Sequence, residues 1–583
     1  MAGSHHGFVR GANLPRESRL FEGRFGRMFR SLAALDLDPA DPAVRDLAFS
    51  MAQPEGTVDP DNPTGGTKAG EGIMAAVEPL GPTAETVADE EEGAIPAGYT
   101  YLGQFIDHDL TFDPASFLDR QNDPEALVDF RTPRFDLDSV YGRGPAEQPY
   151  MYDLVNKEFK VFLLGDKIDG PIGHNDPDAV DHPRARANAM GFRRALIGDK
   201  RNDENTIVAQ MHTIFMRFHN HYRRKNPTLS FDEVQRDVRW HYQWVVLHDY
   251  LRRIVGWDMV TSILPHLASG NSIFQDKPAL RHYSFQNEAF LPTEFSAAAF
   301  RFGHSMVRPV YRLSRGFQDM LGLNKPTPIT DKNVPDNSRR MIFDFRDRKK
   351  GLNGFDAILP GWSIEWDLFF GNLDANPLSL NRVQPAYKVD TSLVNPLADL
   401  PEFGGGTRDS NLAFRNLLRG FSMKLPCGED IAKAMGETPL GPEWLVIGKA
   451  EITVEQAQSP AGIAEARRKY QKSKSIASFG LADGSFPFEG CTPLWLYVLA
   501  EGAKNVFDGA DHALGPVGGR IVAETMIGLM LGDSHSFLSQ DPAWKPMNRG
   551  AALLNNHFDM LDFINFAQGK PPAARPVGPT AAA

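Results

Sequence analysis

The sequence predicts a mainly α protein: one large helical domain with long loops and few short strands. Three observations carry that expectation. Apolar residues recur at helical spacing in several long segments, Gly and Pro (52 and 43 residues) punctuate the stretches between them, and no internal repeat or second core signal divides the 583 residues. Hydrophobic residues make up 42% of the chain, enough for a sizeable core. The net charge is −12, so the basic face that nucleic acid requires is not expected.

Taken in order, residues 1–95 read as an arm and loop packing on the core. One short amphipathic piece places Phe25, Met28, Phe29 and Leu32 at helical spacing, and a Pro-, Gly- and Glu-rich stretch follows. Residues 96–568 read as the main domain, and 569–583 as a disordered tail. The opening thirty residues contain no apolar run of signal-peptide length. No segment approaches the roughly 20 apolar residues of a membrane span. A soluble protein is expected, cytoplasmic or exported without a Sec-type signal. Two cysteines, Cys427 and Cys491, cannot build a disulfide framework and read as buried small hydrophobes.

The first chemically dense stretch is YLGQFIDHDL at 101–110. On a helix beginning there, Gln104, Asp107 and His108 share one side, while Asp109 turns about 100° from His108. The alternative is a hydrophilic helix start with its Asp residues favoured by the dipole. RTPRFDLDSVYG at 131–142 places Thr132, Asp136 and Asp138 in a loop-like context. Alternating oxygen ligands of this kind, joined by a carboxylate such as Asp109, suit calcium, although the same residues suit a turn or cap.

A strong helix is expected from about Asp203, with Ile207, Met211, Ile214, Phe215, Phe218 and Tyr222 on its buried stripe. Arg201 and Glu204, three apart at its start, fit either a shared cavity or an exposed ion pair. His212, His219 and His221 fit packed histidines better than a metal site. The helical pattern continues over 240–255. Residues 292–313 read as a helix started by Thr293 and stopped by Pro309, with Arg301 and His304 late in it. Gly303 and the alanines at 297–299 leave room for something large and flat. A core histidine satisfied by a carbonyl is the competing reading of His304. A further helix from Asn411 carries Asn416 and Arg419, and 493–546 is again helical.

Together these segments, in this order over roughly 95–550, resemble the animal-type haem peroxidases of the peroxidase–cyclooxygenase superfamily, the myeloperoxidase and lactoperoxidase type. The resemblance implies haem b and calcium as cofactors. It implies reduction of hydrogen peroxide and oxidation of a small donor, a halide, thiocyanate or phenol, through a ferryl intermediate. By resemblance His108 is the distal histidine, Gln104 its partner and Arg201 the catalytic arginine. His304 is the proximal iron ligand, Asn416 accepts its ring proton, and Arg301 and Arg419 meet the haem propionates. Asp107 and Glu204 match the carboxylates that become ester-linked to haem. Asp109, Thr132, Arg134 (through its carbonyl), Asp136 and Asp138 match the calcium site.

Departures narrow the reading. Asn205 stands where a sulfonium-forming methionine follows the glutamate in one member, so no such link is expected. Arg301 stands where fatty-acid oxygenases carry their radical-forming tyrosine. A dioxygenase using Tyr242 or Tyr250 is the runner-up, and a haem-binding scaffold without turnover is the third reading. The scarcity of cysteine and lack of an export signal resemble bacterial members.

Overall fold

The computed structural model describes residues 25–572 apart from 36, 39–40, 53–90, 112–131, 156–157, 169–175, 190, 286–288, 315–339, 344–350, 360, 374–382, 401–409, 482–483 and 548–556. Most of the Pro-, Gly- and Glu-rich stretch within 1–95 and most of the tail therefore lie outside the described residues.

The longer helices are α1 (Pro42–Met51), α2 (Gly98–Leu110), α3 (Thr206–Lys225), α4 (Phe231–Val245), α5 (Leu412–Ser422), α6 (Gly428–Met435), α7 (Pro460–Tyr470), α8 (Leu494–Asp508), α9 (Pro516–Gly532) and α10 (Met560–Ala567). Strands among the described residues form only two-stranded pairs. The mainly α expectation holds. A buried apolar cluster runs from Phe29 through α1, α2, α3 and α8 to Ala567, so the ends of the described chain share one core.

Helix α2 does not start at Tyr101; it starts three residues earlier, and His108 lies in its last turn. Its N-terminus needs no side-chain cap, because the amides of Ala97 and Gly98 donate to the carbonyls of Gln384 (2.8 Å) and Phe369 (2.9 Å). Gly98 is required there: a Cβ would meet the Phe370 ring at 2.5 Å. At the second residue of the helix, Tyr99 Oη donates to Asp249, which also accepts from Arg253 Nε (2.8 Å) and from Met560 N of α10 (3.0 Å). A buried carboxylate satisfied from three segments fixes where α2 enters the core.

The expected helix from Asp203 is two pieces. A 3-10 turn, Lys200–Asp203, is followed by α3, whose cap is Asn205 accepting from the amides of Ile207 (3.1 Å) and Val208 (2.9 Å). The expected stripe is buried, and so is most of the helix circumference, because α2, α4 and α10 all pack on it. Helix α4 opens with a capping box, Ser230 and Glu233, and runs into a π-helical turn at Val246–Tyr250.

The segment over 292–313 corrects the single-helix expectation. A short helix, Thr293–Ala297, breaks at Ala298 (φ −138°, ψ −73°), and a 3-10 stretch, Ala299–His304, follows. His304 therefore closes a 3-10 turn, and the helical backbone ends before Pro309. Helix α5 begins at its Asn411 cap as expected.

Candidate active site

The 3-10 turn Ala299–His304 and the last turns of α2 face each other across a cavity of about 400 Å³, within the range of cofactor sites. Gln104, Asp107, His108, Arg201 and Glu204 line it, and so do Arg301, Gly303 and His304. The common side predicted for Gln104, Asp107 and His108 is the side that meets the cavity. Asp109 points away and is fully buried.

Each of the two facing histidines has one ring nitrogen engaged by an asparagine. Nδ1 of His108 lies 2.8 Å from Asn202 Oδ1, and Nδ1 of His304 lies 2.8 Å from Asn416 Nδ2; the expected acceptance of the His304 ring proton instead requires Asn416 Oδ1 at that place, a half-turn of the amide. This leaves Nε2 of each ring for the cavity. Burial, and then the Arg301 charge, lower the His304 pKa to about 3, so the ring is neutral and a lone pair is available. Arg301 is itself pushed down by burial; Asp107 opposes that shift and Arg201 adds to it.

The other side of the cavity is as closely held. Asp199 accepts from Arg201 N (2.8 Å) and Nη2 (2.8 Å), and Nη2 also donates to the His108 carbonyl at 3.0 Å. Gln104 Nε2 donates to Glu204 Oε1, which lies 3.4 Å from His108 Nε2, while Gln104 Oε1 accepts from Asn205 Nδ2 at 3.1 Å. Asp107 Oδ1 accepts from Thr111 Oγ1 at 3.2 Å.

Sequence reasoning missed several residues. Asn202 holds His108, and its Nδ2 donates to Nδ1 of the buried His212 (2.9 Å). Asn205 couples the α3 cap to Gln104. Arg415, rather than Arg419 one turn later, lines the cavity. The Arg-Asn-Asp-Glu run did signal a site, but only the 3-10 backbone decides that residue 202 turns to His108 while Asp203 turns to Arg184 (2.6 Å). Of the two tyrosines named for a dioxygenase, Tyr250 lines the cavity, and Tyr242 is buried among Phe105, Phe135 and Phe215.

Behind α2 lies the acidic loop. Carboxylate oxygens of Asp109, Asp136 and Asp138 all lie within 4.8 Å of one another. Thr132 Oγ1 donates to Asp136 Oδ2 (2.7 Å), and Asp109 accepts from Leu137 N and Ser139 Oγ (both 3.2 Å). Leu137 sits in the left-handed region (φ 56°), a conformation that a branched side chain adopts only when its surroundings impose it. Arg134 turns its side chain to Asp533 (3.6 Å).

Residues 115–361 match the family model for the animal haem peroxidases. Over that span the chain is similar to the animal haem peroxidases. The matched span holds Arg201, Glu204, Arg301 and His304; the fold adds His108 from before it and Asn416 from after it. Among curated relatives, the chain is similar to dog thyroid peroxidase, at 26% identity over 254 residues, 41% of this chain and 24% of the relative. It is 26% identical to human myeloperoxidase over 293 residues, 46% of this chain and 32% of that protein. The chain thus spans about a quarter to a third of the length of these relatives. Among solved structures, peroxidase A from Dictyostelium discoideum aligns over 89% of both chains with a TM-score of 0.46 and 15% identity. A fatty acid alpha-dioxygenase from Oryza sativa aligns over 88% of this chain and 82% of its own, with a TM-score of 0.41 and 14% identity. Among the described residues no helix is long and apolar enough to cross a membrane.

The residues fit the family's haem. Aromatic and aliphatic side chains, Tyr101, Phe302, Ile342 and Leu400 among them, wall the cavity between the two histidines. A Cβ built at Gly303, next to His304, meets no atom within 4 Å, so the proximal side has room for a flat group.

Proposed function

We propose that this chain is a haem-dependent peroxidase that reduces hydrogen peroxide and oxidises a small donor, with residues 96–568 as its catalytic domain. One observation carries the reading: His108 and His304 face one cavity, each with Nδ1 held by an asparagine. When bound, haem supplies the iron that holds peroxide and the electrons that reduce it. His304 would be its protein ligand, oriented by Asn416. His108 Nε2 takes the proton of an entering peroxide and returns it to the departing oxygen, and Asn202 keeps the ring in the tautomer that leaves Nε2 unprotonated. Arg201, aligned by Asp199, offers positive charge where negative charge builds as the O–O bond opens. Gln104, clamped between Glu204 and Asn205, offers its amide beside His108. Arg301 and Arg415 would meet the carboxylates of the cofactor.

Asp107 and Glu204 both line the cavity and are the residues that would form ester links to haem. Acidic organic solvent should leave haem on the wild-type protein and release it from a doubly substituted Asp107→Ala, Glu204→Ala variant. Release from wild type would mean that no ester forms. Calcium would occupy the Asp109, Asp136, Asp138 cluster with Thr132 and the Arg134 carbonyl. Three carboxylates this close, Asp109 and Asp136 buried and Asp138 half-buried, repel one another, and a divalent cation with hard oxygen ligands removes that cost.

The donor is proposed to be a halide, thiocyanate or phenol. The test is the absorption spectrum of the haem-loaded protein before and after one equivalent of hydrogen peroxide. A Soret band that shifts within seconds and recovers on adding the donor is the expected result. A band inert to peroxide, with oxygen uptake on adding a fatty acid, would replace this reading with a dioxygenase in which Tyr250 is the residue to test.

A further inference from the structure

The chain has two cysteines, 64 positions apart, and the fold brings them together. Cys427 caps the N-terminus of α6 and forms an antiparallel bridge with Pro493, while Gly428 N donates to the Thr492 carbonyl at 2.9 Å. Thr492 is tied back to α6 by Glu429, which accepts from its amide and its hydroxyl, each at 2.8 Å. Cys491 and Pro493 stand two residues apart, so Cys491 is on the face that meets Cys427. The Cys427 thiol donates to Asp430 Oδ2 at 3.3 Å, and the Cys427 and Cys491 thiols lie near enough to interact electrostatically. Both are free thiols; Cys427 is buried and Cys491 is half-buried. The two thiols are thus neighbours on segments already held in register.

We propose that Cys427 and Cys491 are a peroxide-oxidised dithiol pair that closes to a disulfide. Cys491 is the sulfur oxidised first: it is half-buried and within reach of peroxide, whereas Cys427 is buried, and the interaction between the two thiols lowers the Cys491 pKa. The Cys491 thiolate attacks one oxygen of hydrogen peroxide; the O–O bond breaks and the leaving oxygen departs as water after taking a proton. The resulting sulfenic acid is attacked by the Cys427 sulfur; the S–O bond breaks, the S–S bond forms and a second water leaves. Two thiols are oxidised by two electrons and one peroxide is reduced to two waters. The link joins α6 to the start of α8, whose Trp495 Nε1 donates to the Arg301 carbonyl at 3.2 Å, so the oxidised pair ties down the wall behind the His304 turn. The inference is independent of the haem reading.

The test uses the full chain, treated with hydrogen peroxide, then denatured and alkylated. Before treatment both thiols should be alkylated, and after it neither. A digest with trypsin should then hold peptides 425–433 and 475–504 linked, and dithiothreitol should separate them. In Cys427→Ser, dimedone should trap a sulfenic acid at Cys491; in Cys491→Ser, Cys427 should stay reduced. Two alkylatable thiols after peroxide, or irreversible oxygen addition at Cys491 in the unaltered chain, would overturn the proposal.

Discussion

Asn202 makes two side-chain bonds, one to the ring of His108 and one to the ring of His212, and has no freedom to leave either. Replacing it with alanine removes the acceptor that sets the His108 tautomer and leaves two buried rings short of partners. We expect Asn202→Ala to retain haem and to slow the reaction with peroxide by about 10- to 100-fold, the scale on which groups that orient a reacting histidine act. Stopped-flow absorbance at the Soret band measures it. An unchanged rate would mean that packing alone orients His108. Asn416 also holds Nδ1 of a cavity histidine, meeting His304 through Nδ2, and at both positions the asparagine comes from a different element than the histidine. That is why the Asn416 role came from family resemblance and the Asn202 role was not read at all.

At the scale of elements, the site depends on how a few chain segments end. Helix α2 delivers His108 in its last turn, and the acidic loop grips Asp109 from behind, so the loop and the distal histidine share one helix end. Prolonged treatment with a calcium chelator should therefore lower the melting temperature and broaden the Soret band, with calcium restoring both and magnesium restoring them poorly. The larger ion accepts the irregular oxygen set of carboxylates, hydroxyl and carbonyl that this loop offers. An unaltered melting curve after verified chelation would remove calcium from the site. The break at Ala298 does comparable work on the opposite wall: it turns the chain from a helix into the 3-10 stretch that carries Arg301, Gly303 and His304 to the cavity.

At the scale of the whole molecule, buried neutral histidines set an acid limit. His241 receives an N–H from Met547 at Nε2 (2.9 Å) and donates from Nδ1 to the Asp237 carbonyl (2.6 Å). His219 accepts from Tyr141 Oη (3.0 Å) and donates to the Lys160 carbonyl (3.0 Å). Protonation would set a donor against the Met547 amide at His241 and force the Tyr141 hydroxyl to turn at His219, and burial lowers both pKa values to about 4. Because the folded value lies below the unfolded one, about 6.5, the unfolded chain binds more protons between these limits. Stability is therefore full above pH 6.5 and falls as pH drops toward 4, by up to about 3 kcal/mol for each such histidine. Urea denaturation at pH 7, 5.5 and 4.5 should show the decline, and His241→Gln should flatten it. A pH-independent midpoint would contradict the assignment.

The helical class, the main helices and the residue types of the site could be read in the sequence, because apolar spacing and short motifs are local properties. Gln104, Asp107 and His108 share a face by helix geometry alone, and Asn411 announces its helix. What neighbours a residue across the cavity is not local. Only the folded chain turns Asn202 to His108 and places Arg415 on the wall where Arg419 was expected. It also makes 3-10 turns of segments whose composition reads as α-helix and brings near each other two cysteines 64 positions apart. Those outcomes rest on backbone paths through the core, where packing and the pairing of buried polar groups outweigh local preference.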